Sequence, residues 1–190
     1  MKKVFALVIS AVLIVSAVSA QEASGAPGLK FSAGIGGAYT FLHYTYTNVE
    51  SRMNLSTGKF EDTQWSGSEN TGGVFAFFDA TYAKVELGYR SSQFGPLYIG
   101  VYGKYPFTLI PKLTIAPTLG IDIGLLGSTY TNAALGIKAG ASVDFALFSW
   151  LYVRGEVLFD FDLGLASRYT NIKDVYALGP QFKVSAGYTF

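Results

Sequence analysis

The sequence lacks cysteine altogether and contains one histidine among its 190 residues. The absence of cysteine excludes disulfide-stapled scaffolds, thiolate metal sites and thiol catalysis, and a single histidine excludes zinc sites built from several histidines. Charged residues are also scarce, at 14% of the chain, whereas a soluble domain carries about 25%. The net charge of +1 gives no electrostatic reason to bind nucleic acid. We therefore expect no metal, no cofactor and no nucleic-acid partner.

Long apolar runs are almost as scarce as charges. Hydrophobic residues make up 50% of the chain and the mean hydropathy is +0.32, yet the only long run is residues 4–18. No later segment offers the roughly 18–20 apolar residues that a spanning helix needs. A chain this apolar, with no further candidate helix, is typical of a transmembrane β-barrel.

The N-terminal run has the layout of an export signal. Lys2 and Lys3 precede it, and small residues close it just before Gln21. We expect residues 1–20 to be a signal peptide; the alternative is a membrane-anchoring helix. Residues 21–28 then form a short periplasmic lead-in and residues 29–190 the barrel domain. Without the signal peptide the net charge becomes −1, because two lysines are removed.

Eight later segments alternate between apolar and polar residues with a period of two, which indicates half-buried β-strands. Most are close to the ~9–11 residues that a tilted strand needs to cross a membrane. The segments are 29–41, 73–82, 83–90, 97–105, 113–123, 135–145, 151–161 and 181–190. The pattern predicts an all-β fold, an eight-stranded antiparallel up-and-down transmembrane β-barrel.

The connections between these segments also alternate in length. We expect short turns near Asp79–Lys84, Pro106–Lys112 and Ala146–Ser149, and loops over 45–71, 91–96, 124–133 and 162–178, most of them longer. Short turns at one end and longer loops at the other are typical of outer-membrane barrels. Both termini then lie at the short-turn, periplasmic end.

Alternation does not by itself say which face points outward, and a soluble barrel with an apolar interior is the alternative. The charged face is rich in Gly, Ser, Ala and Thr, which suits a narrow eight-stranded interior. Charges on a lipid face cost about 2–4 kcal/mol at mid-membrane, which explains their restriction to one face. Aromatic residues also mark both ends of the apolar face, as interfacial girdles do. The short-turn girdle is Tyr82, Tyr105, Phe107, Phe145, Tyr188 and Phe190, and the long-loop girdle is Tyr39, Phe41, Tyr89, Phe159 and Phe161.

The last segment alternates Phe182, Val184, Ala186, Tyr188 and Phe190. It is similar to the C-terminal β-signal that the barrel-assembly machinery reads, and the chain from residue 21 onward resembles the small eight-stranded bacterial outer-membrane barrels. The segments Phe77-Phe78-Asp79-Ala80-Thr81-Tyr82, Gly103-Lys104-Tyr105-Pro106-Phe107 and Leu119-Gly120-Ile121-Asp122 resemble barrels of spirochaetes. The resemblance implies export through the inner membrane to a bacterial outer membrane. It does not imply an activity, because such barrels include adhesins, anchors and small-solute channels.

The inward face carries a set of charges that we expect to form a network in the lumen. Its members are Lys30, Asp79, Lys84, Glu86, Arg90, Lys104, Asp122, Lys138, Asp144, Arg154, Glu156, Asp160 and Lys183. Because buried charges persist only when paired, we predict a salt-bridged, largely filled lumen; the alternative is a narrow charge-lined pore. Glu86 with Lys104, and Arg154 with Asp144 or Glu156, are candidate pairs.

Little in the sequence points to catalysis. His43 lies at the top of the first strand, with Ser51, Ser56 and Asp62 nearby in sequence, but a catalytic role needs a geometry that sequence does not supply. Asp160 and Asp162 have no calcium-loop spacing around them. We expect no enzyme activity.

Pro117 is unexpected within a strand, because it cannot donate to the ladder and a closed barrel has no free edge. We predict a bulge or an unpaired carbonyl at this position.

The polar loops are the candidate sites for an extracellular ligand, because loops on a rigid scaffold usually carry binding function. Loop 45–71 has a net charge of −2, and loop 162–178 combines basic, acidic and tyrosine residues. The leading hypothesis is an outer-membrane protein with a structural or surface-interaction, adhesin-like role. The alternative is a narrow channel for small or hydrophobic solutes.

Overall fold

The computed structural model describes residues 30–92, 96–125, 131–167 and 171–190. They form nine strands: β1 Phe31–Asn54, β2 Lys59–Ala80, β3 Ala83–Arg90, β4 Leu97–Lys104, β5 Phe107–Ile110, β6 Leu113–Leu125, β7 Thr131–Ala146, β8 Leu151–Ser167 and β9 Ile172–Thr189. The predicted signal peptide and lead-in lie outside the described residues, as do parts of three predicted loops. In the described part of the chain, no helix has the length and apolarity needed to cross a membrane.

Eight of these strands close into a ring. Each ring strand pairs antiparallel with its neighbour in the ring, β9 pairs with β1, and β4 pairs with β6. The short strand β5 continues β4 along the same edge of β6, because Lys104 pairs with Thr118 and Phe107 with Ile115 in one register. The prediction of an eight-stranded antiparallel up-and-down barrel is therefore confirmed for the described residues.

The alternating pattern places charged residues inside the ring and apolar residues outside it. On β8, Arg154, Glu156 and Asp160 are buried, whereas Val157 and Phe159 between them are more than half exposed. The arrangement repeats around the ring, so the interior is polar and the outer wall apolar. A soluble barrel with an apolar interior is thereby contradicted.

The short turns lie at one end of the barrel. Two residues link β2 to β3, and four residues, 147–150, link β7 to β8, close to the predicted positions. The third predicted turn, Pro106–Lys112, is different because it contains β5, which forms a small hairpin with β6.

The predicted loops 45–71 and 162–178 are wrong over most of their length, because strands continue through them. β1 and β2 stay paired up to Asn54 and Lys59, and β8 and β9 stay paired up to Leu163 and Tyr176. The β1–β2 turn is fixed locally: Asn54 Oδ1 accepts from the backbone N–H of Ser56 at 2.9 Å, and Gly58 adopts the positive φ of 66° that favours glycine. We call the upper part of these strands, residues 42–72 and 162–178 as far as described, the projecting sheet.

Pro117 causes no bulge, because the β6–β7 register runs through Pro117 and Ala141 without a shift. Its own carbonyl accepts from Tyr105 N–H at 3.1 Å. A residue's N–H and C=O point to the same neighbouring strand, so the missing donor of Pro117 faces the Tyr105 carbonyl, between β4 and β5. The predicted bulge is therefore wrong, and the Tyr105 carbonyl lacks the donor that residue 117 would otherwise supply, as the alternative prediction of an unpaired carbonyl expects.

Candidate functional site

The lumen holds three layers of charged side chains, of which the lower layer lies nearest the short turns. Arg154 lies opposite Asp144 in the β7–β8 register, and its Nε and Nη2 donate to the two Asp144 oxygens at 2.6 and 2.7 Å. Its Nη1 donates to Asp79 Oδ2 at 2.5 Å, and Lys104 Nζ lies 2.6 Å from Asp79 Oδ1. Two cations and two carboxylates balance in this layer. Of the candidate pairs, Arg154–Asp144 is confirmed, whereas Glu86–Lys104 is wrong because Lys104 pairs with Asp79.

The middle layer is centred on Glu86 of β3. Lys183 Nζ donates to Glu86 Oε1 at 2.6 Å, Tyr98 Oη donates to the same oxygen at 2.7 Å, and Lys84 Nζ lies 3.1 Å from Glu86 Oε2. Lys84 also pairs with Glu156, at 2.7 Å. This layer is neutral as well.

The upper layer contains one more carboxylate than it has cations. Arg90 Nη1 lies 3.3 Å from Asp162 Oδ2 and 3.6 Å from Asp160 Oδ2. Lys138 Nζ lies 3.1 Å from Asp122 Oδ2 and also pairs with Asp160. Asp162 was not among the predicted lumen residues. The sequence does indicate its inward orientation, because Asp162 lies two residues after Asp160 and alternate residues of a strand share a face.

Three of these ion pairs join opposite walls. β3 and β8 lie four places apart in the ring of eight, so the pairs Lys84–Glu156, Arg90–Asp160 and Arg90–Asp162 cross the lumen. All five side chains are at most 4% exposed. The charged side chains of these layers therefore extend from one wall of the barrel to the other.

Aromatic rings occupy much of the remaining lumen. Lys84 Nζ lies 4.6 Å from the centroid of the Tyr102 ring, and Lys183 Nζ lies 5.1 Å from that of Phe75. Arg154 stacks over Tyr152, whose hydroxyl is 2.9 Å from that of Ser32. The rings attract the buried cations through their negative faces and exclude water from around them.

Above the charged layers the inward face becomes apolar. Leu42, Ala134, Ile172, Val175 and Ala177 form a buried cluster, with Tyr44 and Tyr46 packed against it. This cluster lies above the charged layers, at the base of the projecting sheet, and is formed by β1, β7 and β9.

The predicted lumen residues thus come together with one exception. Lys30 precedes the first residue of β1 and its side chain is exposed, because it lies at the short-turn end where its backbone N–H donates to Thr81 Oγ1. With Lys30 outside and Asp162 inside, six cations and seven carboxylates line the lumen.

The outer wall carries the predicted aromatic rings. At the short-turn end Tyr82, Tyr105 and Phe107 contact one another in series, and Trp150, Tyr188 and Phe190 do likewise. At the other end Phe41 contacts Tyr39 and Phe182. Phe31, Phe78, Phe148 and Trp150 belong to the short-turn ring although the sequence reasoning did not include them.

The proposed assembly signal is the outer face of β9. Phe182, Val184, Ala186, Tyr188 and Phe190 are all exposed on this face. β9 pairs with β8 on one side and β1 on the other, and Phe190 N–H donates to the Phe31 carbonyl at 3.0 Å. The last strand therefore closes the ring against the first.

The projecting sheet makes one side of the barrel taller than the other. β3 ends at Arg90 and β4 begins at Leu97, whereas β1 and β2 continue beyond the level of Thr71 for a further 14 and 12 residues. Among the described strands only β1 pairs with β2 over residues 59–71. The other edge of β2 is thus a strand edge with no neighbouring strand in the described part of the molecule.

His43 and the acidic residues do not assemble a recognisable catalytic or metal centre. His43 Nδ1 lies 3.2 Å from Ser68 Oγ on the exposed outer face of the projecting sheet. Residues 30–92, 96–125, 131–167 and 171–190 contain no group of three or more metal-ligating side chains placed to hold an ion.

No family model and no curated protein matches the chain. Among solved structures, the neisserial surface protein A (NspA) is 15% identical over 88% of this chain and 100% of its own, with a TM-score of 0.42. The β-barrel of the InvG secretin domain from the Salmonella SPI-1 injectisome is 7% identical over 85% of this chain and 61% of its own, with a TM-score of 0.24.

Proposed function

We propose that the chain is an integral protein of a bacterial outer membrane, a closed barrel that carries a projecting sheet for contacts at the cell surface. The observation that supports this most strongly is the inverted polarity of the barrel. Large apolar side chains are exposed around the wall, among them Ile35 at 71% and Val184 at 65%, whereas Lys138 and Asp160 are fully buried. Such a surface would be unstable in water and is suited to lipid.

The dimensions of the apolar wall fit a membrane. Phe31 and Phe41 on β1 belong to the lower and upper aromatic rings, ten residues apart. At the tilt of a barrel strand, ten residues rise about 25 Å, which is the height of the apolar band of outer-membrane barrels. We infer that lipid surrounds this band, that residues 1–20 direct export, and that the barrel-assembly machinery recognises β9.

The structural and surface-interaction role is favoured over the channel because ion pairs cross the lumen and aromatic rings occupy much of the space between them. In this proposal the barrel is not an enzyme, and its binding surface is the projecting sheet, which replaces the two predicted loops. The resemblance to spirochaete barrels remains a prediction.

Ion conductance across a bilayer that contains the protein distinguishes the surface-interaction role from the channel. The protein, folded in detergent and shown by gel shift to be heat-modifiable, is incorporated into planar bilayers. We expect no conductance steps above those of protein-free bilayers. A variant with Glu86, Glu156 and Lys183 changed to Ala is the control for detection, because it removes three side chains that fill the lumen. Reproducible steps from the unmodified chain would support the channel instead.

Surface interaction is tested with outer-membrane vesicles. Outer-membrane vesicles with the full chain are compared with vesicles whose chain has residues 45–66 replaced by Asn-Gly, a cut between register partners Tyr44 and Gly67. We expect the full chain to increase adhesion to host-derived matrix and the shortened chain to lose this increase. Equal adhesion by both would contradict the proposed role of the projecting sheet.

A further inference from the structure

At the edge of β2 that faces away from β1, the structure shows which residues direct their main-chain N–H and C=O groups outward. Ser91 N–H donates to the Gly72 carbonyl at 2.8 Å, and Ser91 Oγ accepts from Gly72 N–H at 3.1 Å, so both main-chain groups of Gly72 point away from β1. In a strand this direction alternates from residue to residue. The exposed residues that lie an even number of positions before Gly72 therefore have the same main-chain direction; they are Gln64, Ser66, Ser68 and Asn70. Their N–H and C=O groups therefore point to the open edge.

This edge lacks two of the features with which proteins protect strand edges. Residues 59–71 contain no proline, and Lys59 at the far end is their only lysine. Strand edges of this length usually carry such residues, because they otherwise pair with another strand. The charges of this edge are mainly acidic, so they oppose an acidic strand and leave the edge suited to receiving a basic one.

On one face of the edge a glutamate lies on either side of a tryptophan. Glu69 Oε1 accepts from Ser92 Oγ at 2.9 Å, and Glu61 Oε1 accepts from Asn54 Nδ2 at 2.6 Å. Trp65 is 53% exposed, and Glu61 and Glu69 lie four residues before and after it on the same face, because strand side chains alternate with a period of two. Residues 59–71 carry a net charge of −2. The facing strand would be complementary if it carried two basic residues eight positions apart with an apolar residue midway.

A second copy of this chain is a poor occupant of the edge. Antiparallel self-pairing centred on Trp65 would place Glu61 of one copy opposite Glu69 of the other, and parallel pairing in register would place each glutamate opposite itself. Like charges directly opposite one another destabilise a strand pair. The pattern therefore disfavours self-association and favours a cationic strand in either direction.

We infer that the β2 edge between Glu61 and Glu69 binds an extended polypeptide segment of the form basic–x3–apolar–x3–basic by adding it as a strand to the projecting sheet. This deepens the proposed surface-interaction role and rests on it. Hydrogen bonds to the main-chain N–H and C=O groups of Gln64, Ser66 and Ser68 supply affinity. Trp65 and the two flanking glutamates select the sequence.

The test uses the full mature chain, folded in detergent, with Trp150 changed to Phe so that Trp65 is the only tryptophan. The probe is the acetylated and amidated peptide Lys-Thr-Val-Thr-Tyr-Thr-Val-Thr-Lys, and the control peptide has glutamate at both ends. Binding is followed by Trp65 fluorescence and by calorimetry. We expect the glutamate peptide to bind at least about tenfold more weakly than the lysine peptide.

A matched pair of variants tests the main-chain contacts. Ser66→Pro removes an N–H that points to the edge and none that faces β1, so the β1–β2 pairing is retained. We expect Ser66→Pro to weaken lysine-peptide binding at least about tenfold, and Ser66→Ala to change it less than about twofold.

Equal binding of both peptides, equal binding by Ser66→Pro and Ser66→Ala, or no binding at all would overturn the inference. The same samples are tested for heat-modifiability and conductance. Failure of peptide binding by a folded, non-conducting barrel would thus refute this inference and leave the membrane proposal standing.

Discussion

Several buried charges in the lumen share their partners, among them Glu86. Glu86 accepts from Lys183 and Tyr98 and lies close to Lys84, and no single pair can be removed without leaving an uncompensated charge. Breaking a buried pair costs far more than the pair contributes, because the remaining charge stays in a medium of low polarity. The lumen is therefore sensitive to isosteric substitutions that remove only charge.

Glu86→Gln tests this sensitivity at constant size. We expect it to lower the free energy of unfolding by about 3–5 kcal/mol, because Lys84 and Lys183 lose a shared counter-charge. Glu61→Gln makes the same chemical change on the exposed projecting sheet, and we expect an effect within about 0.5 kcal/mol. Urea unfolding in detergent micelles measures both, and equal effects would contradict a closed lumen.

The alternation of apolar and polar residues in the sequence predicted which side chains point inward, but not which of them form ion pairs. Inward orientation follows from a period of two alone, whereas Lys104 finds Asp79 and not Glu86 because pairing also depends on register and side-chain length. Asp162 was predicted to lie in a loop, although it is on the same face of the alternating pattern as Asp160. Lys30 fits the inward face of the pattern but lies before the first paired residue of β1.

The strands are packed to different extents on their two faces. Gly88 on β3 lies inward opposite Tyr98 in the β3–β4 register, and a Cβ at this position would come within 2.5–2.6 Å of the Tyr98 ring. Gly155 on β8 is exposed, and a Cβ there would meet no atom within 4 Å. The inward glycine makes room for a ring that crosses the lumen, whereas the outward one does not.

Alanine substitution of these two glycines separates the faces. We expect Gly88→Ala to destabilise the barrel by about 1–3 kcal/mol through overpacking, and Gly155→Ala to change stability by less than about 1 kcal/mol. The same urea titration distinguishes them. A Gly155→Ala variant as unstable as Gly88→Ala would show that the lumen is not the tightly packed side.

Alternation predicted where the strands cross the apolar band but not how far they continue. Within residues 42–72 both faces are rich in polar residues, so the contrast between faces that identified the lower strands fades. The strands nevertheless continue because backbone pairing between β1 and β2 needs no apolar face. β5 was missed for the same reason: its four residues are all exposed.

Because the projecting sheet and the ring are held by different contacts, one should survive without the other. We expect the chain with residues 45–66 replaced by Asn-Gly to remain heat-modifiable, since all three charged layers and the pairing of residues 31–41 are kept. A shortened chain that no longer folds in detergent would show that the sheet is part of the barrel's stability.

For the molecule as a whole, polarity is inverted relative to a soluble protein. Charged residues, which in a soluble protein face water, form ion pairs inside the barrel. Apolar residues, which in a soluble protein form the core, lie on the outside. Six cations and seven carboxylates lie in the lumen, and ion pairs between them join its walls. In our proposal the wall contacts lipid and the projecting sheet contacts partners.

Contacts between lipid chains and side-chain methyl groups test this inversion most directly. Val157 and Leu158 are neighbours on β8, but Val157 is 56% exposed and Leu158 is 1% exposed. In lipid nanodiscs, we expect nuclear Overhauser transfer from acyl-chain protons to the Val157 methyls and none to those of Leu158. Transfer to Leu158, or transfer from water and not from lipid to Val157, would contradict the account.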